Sequence, residues 1–551
     1  MDRRKFVKNL TAGTAGSVLL GGIPVRLLAG NYDLKKIAAQ SPNDNVLVFV
    51  QMHGGNDALN TLIPIDQYNE YYSYRANIAI PDHGSRKFIN VDDSLPVADQ
   101  VGLHPDMIGF KSLYDEGKAT IVQNVGYDNM NLSHFRGRDI VFMGLDGNDD
   151  TLGVHSGWMG RFLNYEFPNY PDDYPKADMP DPIAIELGSA LSLAFHRENG
   201  IPIGLNVWSP EKFYELISGV GINDSTIQFP DGHAGDELKY LWQFENVSNE
   251  YAGRLKEVYN NGSNSPGVTY PETYPFNAPE NYRNNPLSGQ LQLIARLLKG
   301  GIKTRIFLCR IGGFDTHGSQ VEEYDSSLGE HAALLYHLSS AIKAFQDDLS
   351  GLGMEDKVLT MTFTEFGRRV HSNLSYGTDH GTATPIFLFG KGLQGGIVGT
   401  NPDLNDLDNG NLKYAIDYRQ VYTSVVQDWF GGSDEAVNVT GFGNWLDKKI
   451  PLFKSTGLQD FSSGKGSEFI DCFPNPARQE VTFMFSLTKP SFVSLIIYDV
   501  QGKIAKTVYQ GNRLFGPQKI KTDISGLPAG NYIYQMKTGS YQASKQLIIR
   551  K

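Results

Sequence analysis

Two cysteines, Cys309 and Cys472, are all that 551 residues contain, so no disulfide framework holds the fold and its stability must come from a buried core. Cys309 falls inside an apolar run, where cysteine acts as a small hydrophobe. No segment approaches the ~18 to 20 apolar residues of a membrane span, which predicts no stable membrane span in the mature protein. Positive charge is also scarce: 49 Lys and Arg face 61 Asp and Glu, a net charge of -12. The deficit is concentrated in the middle. Residues 1–40 carry seven Lys/Arg against two Asp/Glu, and residues 472–551 carry eleven against three, which leaves -25 between them. A body this acidic repels phosphodiester backbones and argues against a nucleic-acid partner; it suits a divalent cation or a solvated extracellular surface.

What is present is ample core material, 40% hydrophobic and 11% aromatic residues, with 59 Gly and 27 Pro for long loops. The length exceeds that at which single cores stop growing, so one large domain with appendages is expected. From residue 43 to 455, apolar strand-like runs alternate with amphipathic helical stretches such as Gly289–Gly300 and Glu330–Leu349. That alternation predicts an α/β domain, a mainly parallel sheet flanked by helices on both faces. A loop-rich region from Glu198 to Asn281, with an amphipathic helix near Glu237 to Leu255, reads as a cap or insertion over the site. A Ser/Gly-rich linker follows at 456–470. The last segment, 472–551, alternates apolar and polar residues between turn signals, the pattern of a small all-β sandwich.

Three stretches share one grammar. In IFLCRIGGFDTHGSQ an apolar strand from Ile306 ends at Gly312-Gly313 and releases Asp315 and His317. VLVFVQMHGGNDALN runs from Val46 through Gly54-Gly55 to Asn56-Asp57, and KVLTMTFTEFGRRV runs from Lys357 to Glu365, with Asp379-His380-Gly381 in the next loop. Loops at the carboxyl ends of sheet strands collect ligand groups, so one shared site is expected. Residues i and i+2 of an extended segment point to the same side, which lets Asp315 and His317 meet one metal ion. Asp57 reads as a second ligand or a loop cap, and Glu365 as a ligand or the N-terminal charge of a helix. Together the positions suit one or two divalent ions, a pair lying about 4 Å apart. Ser133 opens a helix as a candidate nucleophilic hydroxyl or as an N-cap, and His134 is a ligand, a substrate contact or a core histidine. Asn56 and Arg368 are further candidates for substrate contact.

Residues 1–30 have the form of an export signal, with a basic start, a short weakly apolar stretch and small residues. The Arg3-Arg4 pair followed by Lys-Phe-Val-Lys resembles the twin-arginine type, implying export of an already folded protein.

HGGNDALNTLIP at His53, SHF at Ser133, GWMGRFL at Gly157, GGFDTHGSQ at Gly312, TEFGRRV at Thr364, GTDHGTATPIFLFG at Gly377 and IDYRQVYTSVVQDW at Ile416 make the body resemble the bacterial domain-of-unknown-function 1501 family. That family looks like a branch of the alkaline phosphatase and sulfatase superfamily, whose members hydrolyse phosphate or sulfate esters with bound metals. The resemblance implies Asp57, Asp315, His317, Glu365, Asp379 and His380 as ligands and Ser133 as the hydroxyl nucleophile. Neither cysteine stands in the Cys/Ser-x-Pro-x-Arg context of formylglycine sulfatases, which argues against that mechanism. PNPA at Pro474, the IYDVQGK stretch, LPAGNYIYQMKTG and QLIIRK make the tail resemble the C-terminal sorting domain of the type IX secretion system. It implies a Bacteroidetes-like origin, passage through the periplasm, then secretion or surface attachment.

The expectation is therefore an exported, metal-dependent hydrolase acting on a small-molecule or glycan ester, with the twin-arginine and type IX machineries as partners. Its rivals are a non-catalytic surface or glycan-binding protein with a structural ion, and a metal-dependent phosphoryl transferase or mutase.

Overall fold

The computed structural model describes residues 43–148, 155–171, 173–188, 191–218, 251–454, 468–473, 475–487, 491–513, 516–538 and 541–550, with a short antiparallel pair at Ser17–Leu20 and Ile23–Arg26. The rest of the expected export signal, most of the linker, and residues 219–250 of the expected cap lie outside the described residues. The chain separates into two compact units, Met1–Phe453 and Lys454–Lys551.

The first unit is built on a nine-stranded sheet. Its strands are β1 (Val46–His53), β2 (Ala119–Gly126), β3 (Ala184–Leu187), β4 (Leu205–Val207), β5 (Ile306–Gly312), β6 (Val358–Phe363), β7 (Thr384–Phe389), β8 (Gly396–Val398) and β9 (Ile416–Asp417). They lie in the order β8-β2-β7-β6-β1-β5-β3-β4, with β9 also beside β2. All neighbours are parallel except the β6–β7 and β7–β2 pairs, so β7 alone runs against the rest. The expected mainly parallel α/β sheet is what forms. Central strands of such a sheet are buried on both faces and read as continuous apolar runs, as β1, β5 and β6 do.

Side-chain alternation sorts the core into two layers. Val46, Val48, Val50 and Met52 pack with Phe307, Cys309 and Ile311 against helices α3 (Pro286–Lys299) and α4 (Glu330–Leu352). On the other face Leu47 and Phe49 meet α1 (His134–Met143), α2 (Trp158–Glu166) and α5 (Tyr418–Ser424). Phe49 is fully buried, stacked on Phe363 with centroids 4.1 Å apart and edge-on to Trp158. Cys309 is buried in the first layer and its thiol is pushed up by burial, the behaviour of a hydrophobe. Helix α3 starts three residues before its apolar period suggests, because the Asn285 carboxamide caps the Leu287 and Ser288 amides and Pro286 takes the first helical position.

This topology places the site. Strands β1, β5 and β6 are adjacent and parallel, so Gly54-Gly55, Gly313 and Glu365 leave one edge together. Strand β7 begins at that edge because it runs the opposite way, which brings the 364–383 loop back across it. Helix α1 starts at the same edge, since β2 is parallel to β1. No helix forms at Glu365; the segment is irregular and Arg368 makes an isolated antiparallel bridge with His380.

The second unit has two antiparallel sheets. One joins Glu468–Phe473, Glu480–Leu487 and Gly516–Asp523; the other joins Ser491–Tyr498, Ile504–Arg513, Gly530–Thr538 and Tyr541–Ile549. Their inward residues, among them Phe483, Phe485, Leu495 and Tyr534, share one core, and no ligand-bearing cluster forms among the described residues there.

Candidate functional site

Asp315, half exposed at the end of β5, is the hub of the edge. Its Oδ1 lies 2.7 Å from Arg368 Nη2, 2.8 Å from His317 Nδ1, 3.2 Å from His134 Nε2 and 3.3 Å from His380 Nε2. Burial alone would raise its pKa, but the Arg368 hydrogen bond and charge, helped by His134 and His317, hold it at about 2. The carboxylate is ionised at any physiological pH.

Both flanking imidazoles are oriented from behind. His380 Nδ1 lies 2.7 Å from the Leu132 carbonyl, which can only accept, so that nitrogen donates, while Nε2 faces Asp315 Oδ1 at 3.3 Å. His134 Nδ1 lies 2.9 Å from Glu365 Oε1 and donates to it, leaving Nε2 buried, without a hydrogen bond and turned to Asp315 Oδ1. The Glu365 hydrogen bond raises the His134 pKa against the effect of burial, whereas burial lowers that of His380. Both Nε2 atoms thus converge on one carboxylate oxygen, and each can ligate an ion that displaces any proton it carries. His134, Asp315 and His380 offer ligand atoms all within 4.8 Å of one another, and they are the one such group among the described residues. Two imidazoles and a carboxylate fit a divalent transition ion, and a carboxylate behind a ligating imidazole is a recurrent way of fixing its tautomer. The buried His134 Nε2, which makes no hydrogen bond, supports that fit.

Glycine makes the close approach possible at Gly54, where φ is 124° and a Cβ would collide with the Asp315 backbone nitrogen.

The structure rearranges several expected roles. Asp57 is fully buried and does not join the cluster. Its oxygens take Arg75 Nη1 at 2.8 Å and Gln320 Nε2 at 2.6 Å, while Oδ1 caps Leu59. A charge buried that deeply must be paired, and Arg75 pairs it. Asn56 is also buried, its Oδ1 held by Thr61 and facing His331, so it cannot reach a substrate. Arg368, 1% exposed, donates to the Gly54, Gly55, Phe314 and Thr378 carbonyls as well as to Asp315, and works as an internal clamp. Glu365 is buried behind His134, accepting also from Gly54 N at 2.9 Å, and so orients a ligand instead of supplying one. Asp379 is exposed and its carboxylate meets Asn373. His317 touches Asp315, and its ring lies 4.6 Å from that of His380, outside the three-residue group. Ser133 is exposed at the N-cap position of α1 and makes no capping hydrogen bond.

His53 was not among the expected site residues. It ends β1, is partly exposed, and stands 3.7 Å from Glu365 with its ring 6.3 Å from that of His134. Its place immediately before Gly54-Gly55 was the available signal, the same grammar that marks Asp315.

Residues 261–441 match the family model described as "Protein of unknown function (DUF1501)" and residues 471–550 match "Secretion system C-terminal sorting domain". No curated protein matches the chain by sequence. Among solved structures, a protein in the alkaline phosphatase superfamily from Vibrio parahaemolyticus is similar at 11% identity, 84% coverage of this chain and 82% of that one, with a TM-score of 0.33. A phosphonate monoester hydrolase from Silicibacter pomeroyi is similar at 10% identity, 92% and 89% coverage and a TM-score of 0.29. A 2-O GAG sulfatase is similar at 9% identity, 88% and 85% coverage and a TM-score of 0.25. Among the described residues no helix is long and apolar enough to cross a membrane. The chain thus carries the DUF1501 family pattern in the segment that holds Asp315, Glu365 and His380, and ends in a secretion-system sorting domain.

Proposed function

We propose that residues 43–455 form an exported, metal-dependent hydrolase of phosphate or sulfate esters, alkaline phosphatase-like in plan, with one divalent ion held by His134, Asp315 and His380. The observation that carries this reading is the pair of imidazoles whose Nδ1 atoms are held from behind, so that both Nε2 atoms face the ionised Asp315. When bound, a divalent ion supplies Lewis acidity to an ester oxygen and acidifies water.

The chain's own residues do the rest. Arg368 keeps Asp315 ionised and fixed, and Glu365 and the Leu132 carbonyl keep the His134 and His380 rings in register. The Ser133 hydroxyl, exposed and free of capping, is the candidate nucleophile, beside helix-end amides that favour an anion. The substrate is a small-molecule or glycan ester. The terminal sorting domain and the basic leader imply passage through twin-arginine and type IX machinery to the cell surface or medium.

The test is metal content of the full-length protein by mass spectrometry, with hydrolysis of an aryl phosphate, a phosphodiester and a sulfate ester. About one equivalent of metal per chain with turnover of one ester class is expected. Failure to retain any divalent metal after reconstitution overturns the reading, and metal without turnover of any of the three moves it to the structural-ion rival.

A further inference from the structure

A row of polar side chains crosses the carboxyl ends of β3, β5 and β1 on the face that α1 covers. Strand alternation puts Glu186, Arg310, Gln51 and His53 on that face, and the registers Leu308 with Glu186 and Arg310 with Gln51 bring them side by side. Glu186 Oε1 lies 3.6 Å from Arg310 Nη2, Arg310 Nε donates to Gln51 Oε1 at 2.9 Å, and Gln51 Nε2 lies 3.4 Å from His53 Nδ1.

The direction of every proton in this row is forced. A guanidinium only donates, so the Gln51 oxygen must be the atom facing Arg310, and the amide nitrogen is what faces His53. An amide nitrogen also only donates, so His53 Nδ1 accepts and its proton sits on Nε2. Glu365, 3.7 Å away, does not compete. Its Oε1 already accepts from Gly54 N and from His134 Nδ1, both at 2.9 Å. The His53 ring is 36% exposed, whereas Gln51 is fully buried, so the relay is internal and its outcome is presented outward.

We infer that His53 is a substrate-binding residue whose Nε2–H, fixed by Gln51 and Arg310, donates a hydrogen bond to an anionic oxygen of the ester bound beside the His134, Asp315 and His380 group. The use of the donor rests on the hydrolase reading; the tautomer does not. Gln51 and Arg310 are positioning residues. Two cations add to the anionic preference: Arg310, whose Nη2 stands 3.6 Å from Glu186 without a hydrogen bond, and Arg138, one turn beyond His134 on α1, whose one ion pair among the described residues is with its neighbour Asp139 and whose guanidinium lies over the Phe135 ring. A substrate oxygen bearing full charge is the acceptor such an edge fits.

The experiment is nitrogen-15 imidazole spectroscopy on the full-length protein, with the His53 signals assigned by their loss in His53→Gln. The wild type should show the Nε2–H tautomer, and that resonance should shift when inorganic phosphate is added. An Nδ1–H tautomer, or a resonance unmoved by saturating phosphate, overturns the inference. Gln51→Glu keeps the shape and the Arg310 contact but offers His53 an acceptor. It should move the proton to Nδ1 and weaken phosphate binding about tenfold or more. An unchanged tautomer in that variant also overturns the inference, and if the variant does not fold the wild-type spectrum decides. Because tautomer and phosphate binding are read without turnover, their failure is distinct from failure of the hydrolase reading.

Discussion

Replacing Glu365 by Gln separates a ligand from a residue that orients one. The exchange is isosteric and occurs at a site 1% exposed, so the change is confined to charge. The Glu365→Gln carboxamide keeps an oxygen where Oε1 accepts from Gly54 N and His134 Nδ1, and its new amide group can donate to the Thr364 hydroxyl that now approaches Oε2 at 3.3 Å. What disappears is the charge assistance of the His134 hydrogen bond. Such bonds are roughly twice as strong as neutral ones, a difference of about 1 to 1.5 kcal/mol. Since about 1.4 kcal/mol is tenfold, metal affinity should fall about tenfold, near the lower end of the ~10 to 100-fold found when a partner behind a metal-bound imidazole is removed. Competition titration with a chromogenic chelator at neutral pH measures this directly. An unchanged affinity would show that Glu365 does not act through His134. A loss as complete as that of Asp315→Ala would show that Glu365 is itself a ligand and refute this arrangement.

Asp315→Ala should abolish metal retention, whereas His317→Ala should leave about one equivalent bound, because His317 lies outside the converging group; mass spectrometry of the two variants checks both. Asp57→Asn should leave metal content unchanged yet destabilise the fold by about 3 to 5 kcal/mol, since it strands the buried Arg75 guanidinium, and the shift in urea midpoint measures it. In metal-free protein the Asp315 pKa of about 2 lies below the ordinary value of 3.8, so its ionised form adds stability above that value which is lost as pH falls towards 2. With the side chain 47% exposed, solvent screening reduces the contribution to roughly 1 kcal/mol, and Asp315→Asn should flatten that part of the unfolding profile. Removing residues 472–551 should leave the metal content of the first unit intact while abolishing secretion, as fractionation of the producing cells would reveal.

The strand ends were legible because their signal is local. A continuous apolar run followed by a glycine pair marks β1 and β5 whatever surrounds them, and the runs of β6 and β7 bound the loop that carries Glu365 and His380. The antiparallel sense of β7 was not legible, since nothing in TPIFLF encodes direction; yet that reversal brings His380 to the same edge as Asp315. The expected helix at Glu365 did not form because the segment's hydrogen bonds go instead to the 378–383 loop.

By itself the sequence determined the α/β alternation, the acidic body, the β-rich tail and Asp315 and His380 as residues released at strand ends, all of which follow from periodicity, composition and neighbouring glycines. Only the tertiary structure decided that Asp57 belongs to Arg75 and Glu365 to His134, that His134 completes the group, and that His53 is held by Gln51 and Arg310. The reason is physical: a carboxylate or imidazole takes its role from its burial and from the groups facing it, and those partners come from segments as much as 311 residues away in the chain.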